Sequence, residues 1–100
     1  MSAVLITTGH LAADGSEALQ KYASSVLPML LAAGGQMLFR GGPMETLVGN
    51  NPPDLFFAMR FESAEIIRRL LTSEEYVRLV PYRNRAFSQI TTVIAQDFES

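Results

Sequence analysis

One hundred residues, 48% of them apolar and 18% charged, are enough for a single folded domain, residues 1–100, and exclude a disordered chain. The formal charge of -2 leaves no global basic face for nucleic acid. With no Cys and one histidine, His10, the chain lacks disulfides, a thiolate nucleophile and the usual transition-metal ligand sets; no metal and no cofactor is expected.

No apolar stretch approaches the length of about 20 residues that crosses a bilayer, so no membrane partner is expected. Residues 1–13 show no basic start followed by a long apolar run, and the expected location is cytoplasmic.

In chain order, Ala3-Val4-Leu5-Ile6-Thr7-Thr8 is rich in β-branched residues and predicts a strand. Asp14 and Glu17 have the spacing of a capping box and predict a helix start at Asp14. Leu19, Tyr22, Ala23, Val26 and Leu30 then recur at three- and four-residue steps and line one helical face. Pro28 predicts a bend in that helix, and Gly34-Gly35 ends it.

Gln36 to Arg40 predicts a second strand, and Gly41-Gly42-Pro43 a turn. Met44 to Val48 suggests a short strand, followed by the loop signal Gly49-Asn50-Asn51-Pro52-Pro53. Asp54 to Phe61 predicts the third main strand. Ser63 caps a second helix with Ala64, Ile67 and Leu71 inward; Ser73 starts a further helical segment that Pro81 should kink; Gln89 to Asp97 predicts the last strand.

The order strand, helix, strand, strand, helix, strand is the ferredoxin-like βαββαβ plan, an α+β fold with a four-stranded antiparallel sheet and helices on one face. Yet both sheet faces are apolar by alternation. Leu55, Phe57, Met59 and Phe61 oppose Phe56, Ala58 and Arg60; Ala3 and Leu5 oppose Val4 and Ile6; Ile90 and Ile94 oppose Val93 and Ala95. Leaving one such face wet forgoes about 1.5–3 kcal/mol per bulky side chain, so a homodimer through the sheet face is expected. The positive mean hydropathy, +0.16, agrees. An apolar ligand on a monomer is the rival explanation.

Gly34-Gly35 followed by Arg40-Gly41-Gly42-Pro43-x-Glu45, with Phe61-x-Ser63, Ser73-x-Glu75-Tyr76 and a later Arg83, resembles the domain-of-unknown-function family thirteen-thirty. The resemblance covers nearly the whole chain and implies a dimeric α/β barrel. It also implies an acidic residue before Gly49, an aromatic after it, and aromatics near positions 19 and 71. This chain departs there, with Val48, Asn50, Leu19 and Leu71. A pocket built from those positions would be more apolar. The wider superfamily includes cofactor-free monooxygenases, lactone isomerases, haem enzymes and stress-response proteins, and fold does not choose among them.

The candidate site residues follow from their chemistry. Arg40 ends a strand beside two glycines and offers five donors for a carboxylate or enolate oxygen; its structural alternative is an ion pair with Glu45. Glu45 in an apolar setting, or His10 just past the first strand, would move a proton. Tyr22 and Tyr76 would orient a ligand through their hydroxyls, and Arg60 is the charged exception on an apolar strand face. Arg83 and Arg85 are expected at solvent or an interface, with Arg83 a ligand contact by the resemblance. No nucleophile elbow, phosphate loop or dinucleotide fingerprint is present. A small-molecule-binding homodimer, a cofactor-independent isomerase or oxygenase, and a purely structural dimer are the three readings left.

Overall fold

The structure, a computed structural model, describes residues 2–96. Four strands, β1 (Ala3–Leu11), β2 (Gln36–Gly41), β3 (Leu55–Phe61) and β4 (Phe87–Gln96), form one antiparallel sheet in the order β2-β3-β1-β4. The helices are α1 (Ser16–Ala32), α2 (Ala64–Leu71), α3 (Glu74–Val77) and α4 (Val80–Ala86). This is the expected ferredoxin-like α+β order.

The period-two alternation in β1 sorts the sheet. Ala3, Leu5 and Thr7 are buried, whereas Val4, Ile6, Thr8 and His10 are half-buried. The buried side joins Met59 and Phe61 of β3 to Val26 and Leu30 of α1, Ile67 of α2, Tyr76 of α3 and Leu79 in one apolar cluster. All helices therefore cover one face of the sheet. Among the described residues the opposite face carries Val4, Ile6, Phe39, Phe56, Ala58, Val93 and Ala95, with His10 and Arg60 as its ionisable groups.

Helix α1 starts two residues later than its sequence suggests. Asp14 makes no cap; Gly15 holds the N-cap position with no side-chain hydrogen bond. The reason is steric. A Cβ on Gly15 would lie 2.7 Å from the Arg85 carbonyl oxygen and 2.9 Å from that of Ala86. The start of α1 is pressed against the end of α4, and Ala12 N–H donates to the Ala86 carbonyl at 2.9 Å. The other end of α1 obeys the sequence. Gly34 has φ +91, Gly34 N–H donates to Leu31 O at 3.0 Å and Gly35 N–H to Leu30 O at 3.0 Å, which is a Schellman motif.

Three other expectations change. Residues 44–48 form no strand and pair with none; Leu47 and Val48 are 87% and 95% exposed in a loop. Pro81 does not kink a helix but sits in the first turn of α4, where its missing N–H costs no helical bond. The last strand begins at Phe87, and Asp97 lies outside the described residues. The Ser63 and Ser73 caps form as expected, each side chain accepting from the backbone N–H three residues on, Ile66 at 3.4 Å and Tyr76 at 3.2 Å.

Candidate functional site

Between α1 and the sheet lies a cavity of about 180 Å³. Its helix wall is the stripe Leu19, Tyr22, Ala23, Val26, Leu27 and Leu30, the face that the three- and four-residue spacing assigns to α1. The sheet supplies Leu5, Thr7, Met37, Arg40, Leu55, Phe57, Ile90 and Thr92, and Leu71, Tyr76 and Phe87 close it. No carboxylate and no histidine is among the lining residues, and Arg40 is the one charged group there.

Arg40 reaches this face because β2 is irregular. Met37 pairs with Met59, but Phe39 pairs with Ala58 and Arg40 with Phe57, so the register shifts at Leu38. Strict alternation would set Arg40 opposite Met37. The bulge puts both on the helix side, opposite Met59 and Phe57, and turns Phe39 to the other face beside Phe56, with ring centroids 5.8 Å apart. Arg40 is exposed at its own position and has no ion-pair or hydrogen-bond partner among the described residues, Glu45 included.

The polar groups at the helix end of the cavity form a chain through three elements. Arg83 of α4 donates from Nη1 to the Tyr76 hydroxyl of α3 at 3.1 Å. The Tyr76 and Tyr22 hydroxyls are 2.8 Å apart. Tyr22 also packs edge-on to Tyr76 and Phe87, with centroids 6.3 and 6.4 Å away. Burial first, then the hydrogen bond and proximity of Tyr76, push the Tyr22 phenol well above its ordinary pKa of 10.0, while the Arg83 charge pulls weakly the other way. On the sheet side, Thr7 and Thr92 bond to each other at 3.1 Å.

Of the sequence candidates, Tyr22, Tyr76 and Arg40 line one cavity, and Arg83 joins them through Tyr76. Arg83, expected at solvent or an interface, is half-buried, and its Nε is buried without a hydrogen-bond partner. Arg85 is exposed, its guanidinium 5.3 Å from the Tyr82 ring centre. His10 and Arg60 lie on the opposite sheet face, and Glu45 on the exposed loop.

Sequence reasoning passed over Thr7, Thr92 and Phe87 as lining residues. The signal for the threonines was present: Thr7 follows Leu5 at the inward period, and Thr92 sits between the inward Ile90 and Ile94. Leu19 and Leu71, the two departures from the family pattern, both line the cavity. Among the described residues no group of three His, Asp or Glu side chains is placed to hold a metal, and no helix is long and apolar enough to cross a membrane.

Residues 6–97 match the family described as a domain of unknown function, DUF1330. Solved structures share the fold at low identity. A protein of unknown function from Rhodopseudomonas palustris superposes with a TM-score of 0.82 and 16% identity, over 99% of this chain and 84% of its own. A dimeric ferredoxin-like protein of unknown function from Jannaschia sp. CCS1 gives 0.77 and 7%, over 97% and 100%. Hydroxynitrile lyase from Passiflora edulis gives 0.72 and 10%, over 99% and 95%. No curated protein matches the sequence.

Proposed function

The chain belongs to the DUF1330 family, and on that premise we infer that it is a homodimeric binding protein for a small, largely apolar molecule carrying an anionic oxygen. The observation behind this reading is the cavity between α1 and the sheet, apolar except for hydroxyls and Arg40. An engineered cavity of about 150 Å³ holds benzene, so about 180 Å³ suits one six-membered ring with a short substituent. Arg40, with no internal partner, is the group that pairs with the anion at the cavity edge.

The dimer half of the reading rests on the bare sheet face. Six apolar side chains on one side of the sheet that the single chain does not bury, Phe39 54% and Val93 46% exposed among them, make a patch that a second copy covers by two-fold packing. Relatives of the same fold that are described as dimeric support it. Arg60 and His10 then lie at the subunit interface.

Binding is favoured over the enzymatic alternative by where the proton acceptors lie. An isomerase or oxygenase using Arg40 for an oxyanion needs a base beside it, and His10 and Glu45 both lie away from the cavity. Calorimetric titration with benzoate tests the reading. The wild-type protein binds it, and Arg40→Ala weakens binding about tenfold while the melting temperature holds. Equal benzoate affinity in both proteins, or loss of folding in the variant, contradicts it.

A further inference from the structure

We propose that the Tyr22 hydroxyl is a hydrogen-bond donor to the ligand, polarised by Arg83 through Tyr76, and that it selects molecules presenting a carbonyl oxygen over hydrocarbons of the same shape. The inference rests on the binding reading above and adds a second polar requirement, distinct from the anion at Arg40.

The direction of the chain follows from counting protons. A guanidinium only donates, so the Tyr76 oxygen accepts from Arg83 Nη1 at 3.1 Å. One phenolic proton then lies in the 2.8 Å contact between Tyr76 and Tyr22. If Tyr22 gave it, the Tyr76 oxygen would accept twice and the leftover proton would sit on Tyr76, which also lines the cavity but is only 5% exposed. A donor proton is better placed on the more open residue, half-buried Tyr22, where a ligand can accept it. If Tyr76 gives the proton, Arg83, Tyr76 and Tyr22 form one line of donors. The proton left over then belongs to Tyr22, the more exposed of the two tyrosines that line the cavity.

Two features strengthen that last donor. Arg83 has no carboxylate partner among the described residues, so its charge reaches the tyrosines unneutralised. Successive hydrogen bonds also polarise one another, by about 10–30% per bond. Burial keeps Tyr22 protonated across physiological pH, which makes it a donor rather than a base. The Thr7 and Thr92 hydroxyls are bonded to each other, so one of their two protons is already spent and only one remains as a competing donor. The ligand class is therefore a monocyclic carbonyl compound, its C=O on Tyr22 and any acid group on Arg40.

Cyclohexanone and methylenecyclohexane differ at one heavy atom, O for CH₂, and fit the same space. The full chain is titrated with both, and the carbonyl stretch of bound cyclohexanone is read by infrared spectroscopy. Cyclohexanone is expected to bind about 3- to 10-fold tighter in the wild type. Tyr22→Phe should erase that preference while still binding methylenecyclohexane. The bound carbonyl band should move to lower wavenumber in the wild type, move less in Arg83→Met, and stay at its apolar-solvent position in Tyr22→Phe. A preference retained in Tyr22→Phe, or a band indifferent to Arg83→Met in a variant that still binds methylenecyclohexane, overturns the donor chain and leaves the binding reading standing. Failure of the wild type to bind either ring overturns both.

Discussion

The bare sheet face makes a quantitative demand on assembly. Phe39, turned onto that face by the bulge at Leu38, is 54% exposed in the single chain. An aromatic side chain of about 200 Å² then leaves about 110 Å² to be covered. At about 25 cal/mol per Å², that is about 2.7 kcal/mol per copy, or about 5 kcal/mol across a two-fold interface that contains it twice. Phe39→Asp removes this burial and places two like charges in the interface, so dimer dissociation should strengthen by about 10⁴-fold or more. Sedimentation velocity over a dilution series from tens of micromolar downward reads it. The wild type should run at twice the chain mass and Phe39→Asp at the chain mass, with matching far-ultraviolet circular dichroism. Leu31→Asp is the control, since Leu31 is 56% exposed on α1, away from the sheet face. A monomeric wild type, or dissociation by Leu31→Asp but not by Phe39→Asp, refutes the reasoning.

Two further outcomes follow from the packing of α1. Gly15→Ala forces a Cβ against the Arg85 and Ala86 carbonyls, at 2.7 and 2.9 Å, and should destabilise the fold by about 1–3 kcal/mol in urea denaturation; an unchanged midpoint would mean that α1 and α4 are not pressed together there. The Tyr22 phenol, raised above 10.0 in the folded chain, ionises earlier when unfolded. Its contribution is full below pH 10 and is lost as pH rises beyond it, by at most about 1.4 kcal/mol per pH unit. Denaturation midpoints between pH 9 and 11 should fall less steeply in Tyr22→Phe than in the wild type, and equal slopes would contradict the assignment.

The sheet was legible in the sequence because alternation is a local signal. Ala3 and Leu5 against Val4 and Ile6, and Phe57 and Met59 against Phe56 and Ala58, sort to their faces as read. The helix stripe from Leu19 to Leu30 was legible for the same reason, and it forms the cavity wall. What failed depended on distant partners. Asp14 has the right spacing to cap α1, but the carbonyls of Arg85 and Ala86 occupy the space around the N-cap. Met44 to Val48 has strand-like residues but pairs with no strand.

The site was half legible. Arg40, Tyr22 and Tyr76 were nominated from chemistry and Arg83 through the family resemblance, but nothing local joins them. Tyr22 and Tyr76 are separated by 54 residues and meet only because α1 and α3 lie on the same side of β1 and β3. The side of the sheet that Arg40 faces turns on a single bulge, which alternation alone reads the wrong way. His10 and Glu45 were nominated as proton movers by residue type, and their parity and loop position set them apart from the cavity.

A crystal structure of the protein grown with saturating benzoate tests the binding site most directly. The account predicts the ring between α1 and the sheet, beside Leu19, Leu71 and Phe57, with its carboxylate within hydrogen-bond distance of the Arg40 guanidinium. Benzoate bound only elsewhere, or side chains closed over that space with no ring in it, would contradict it.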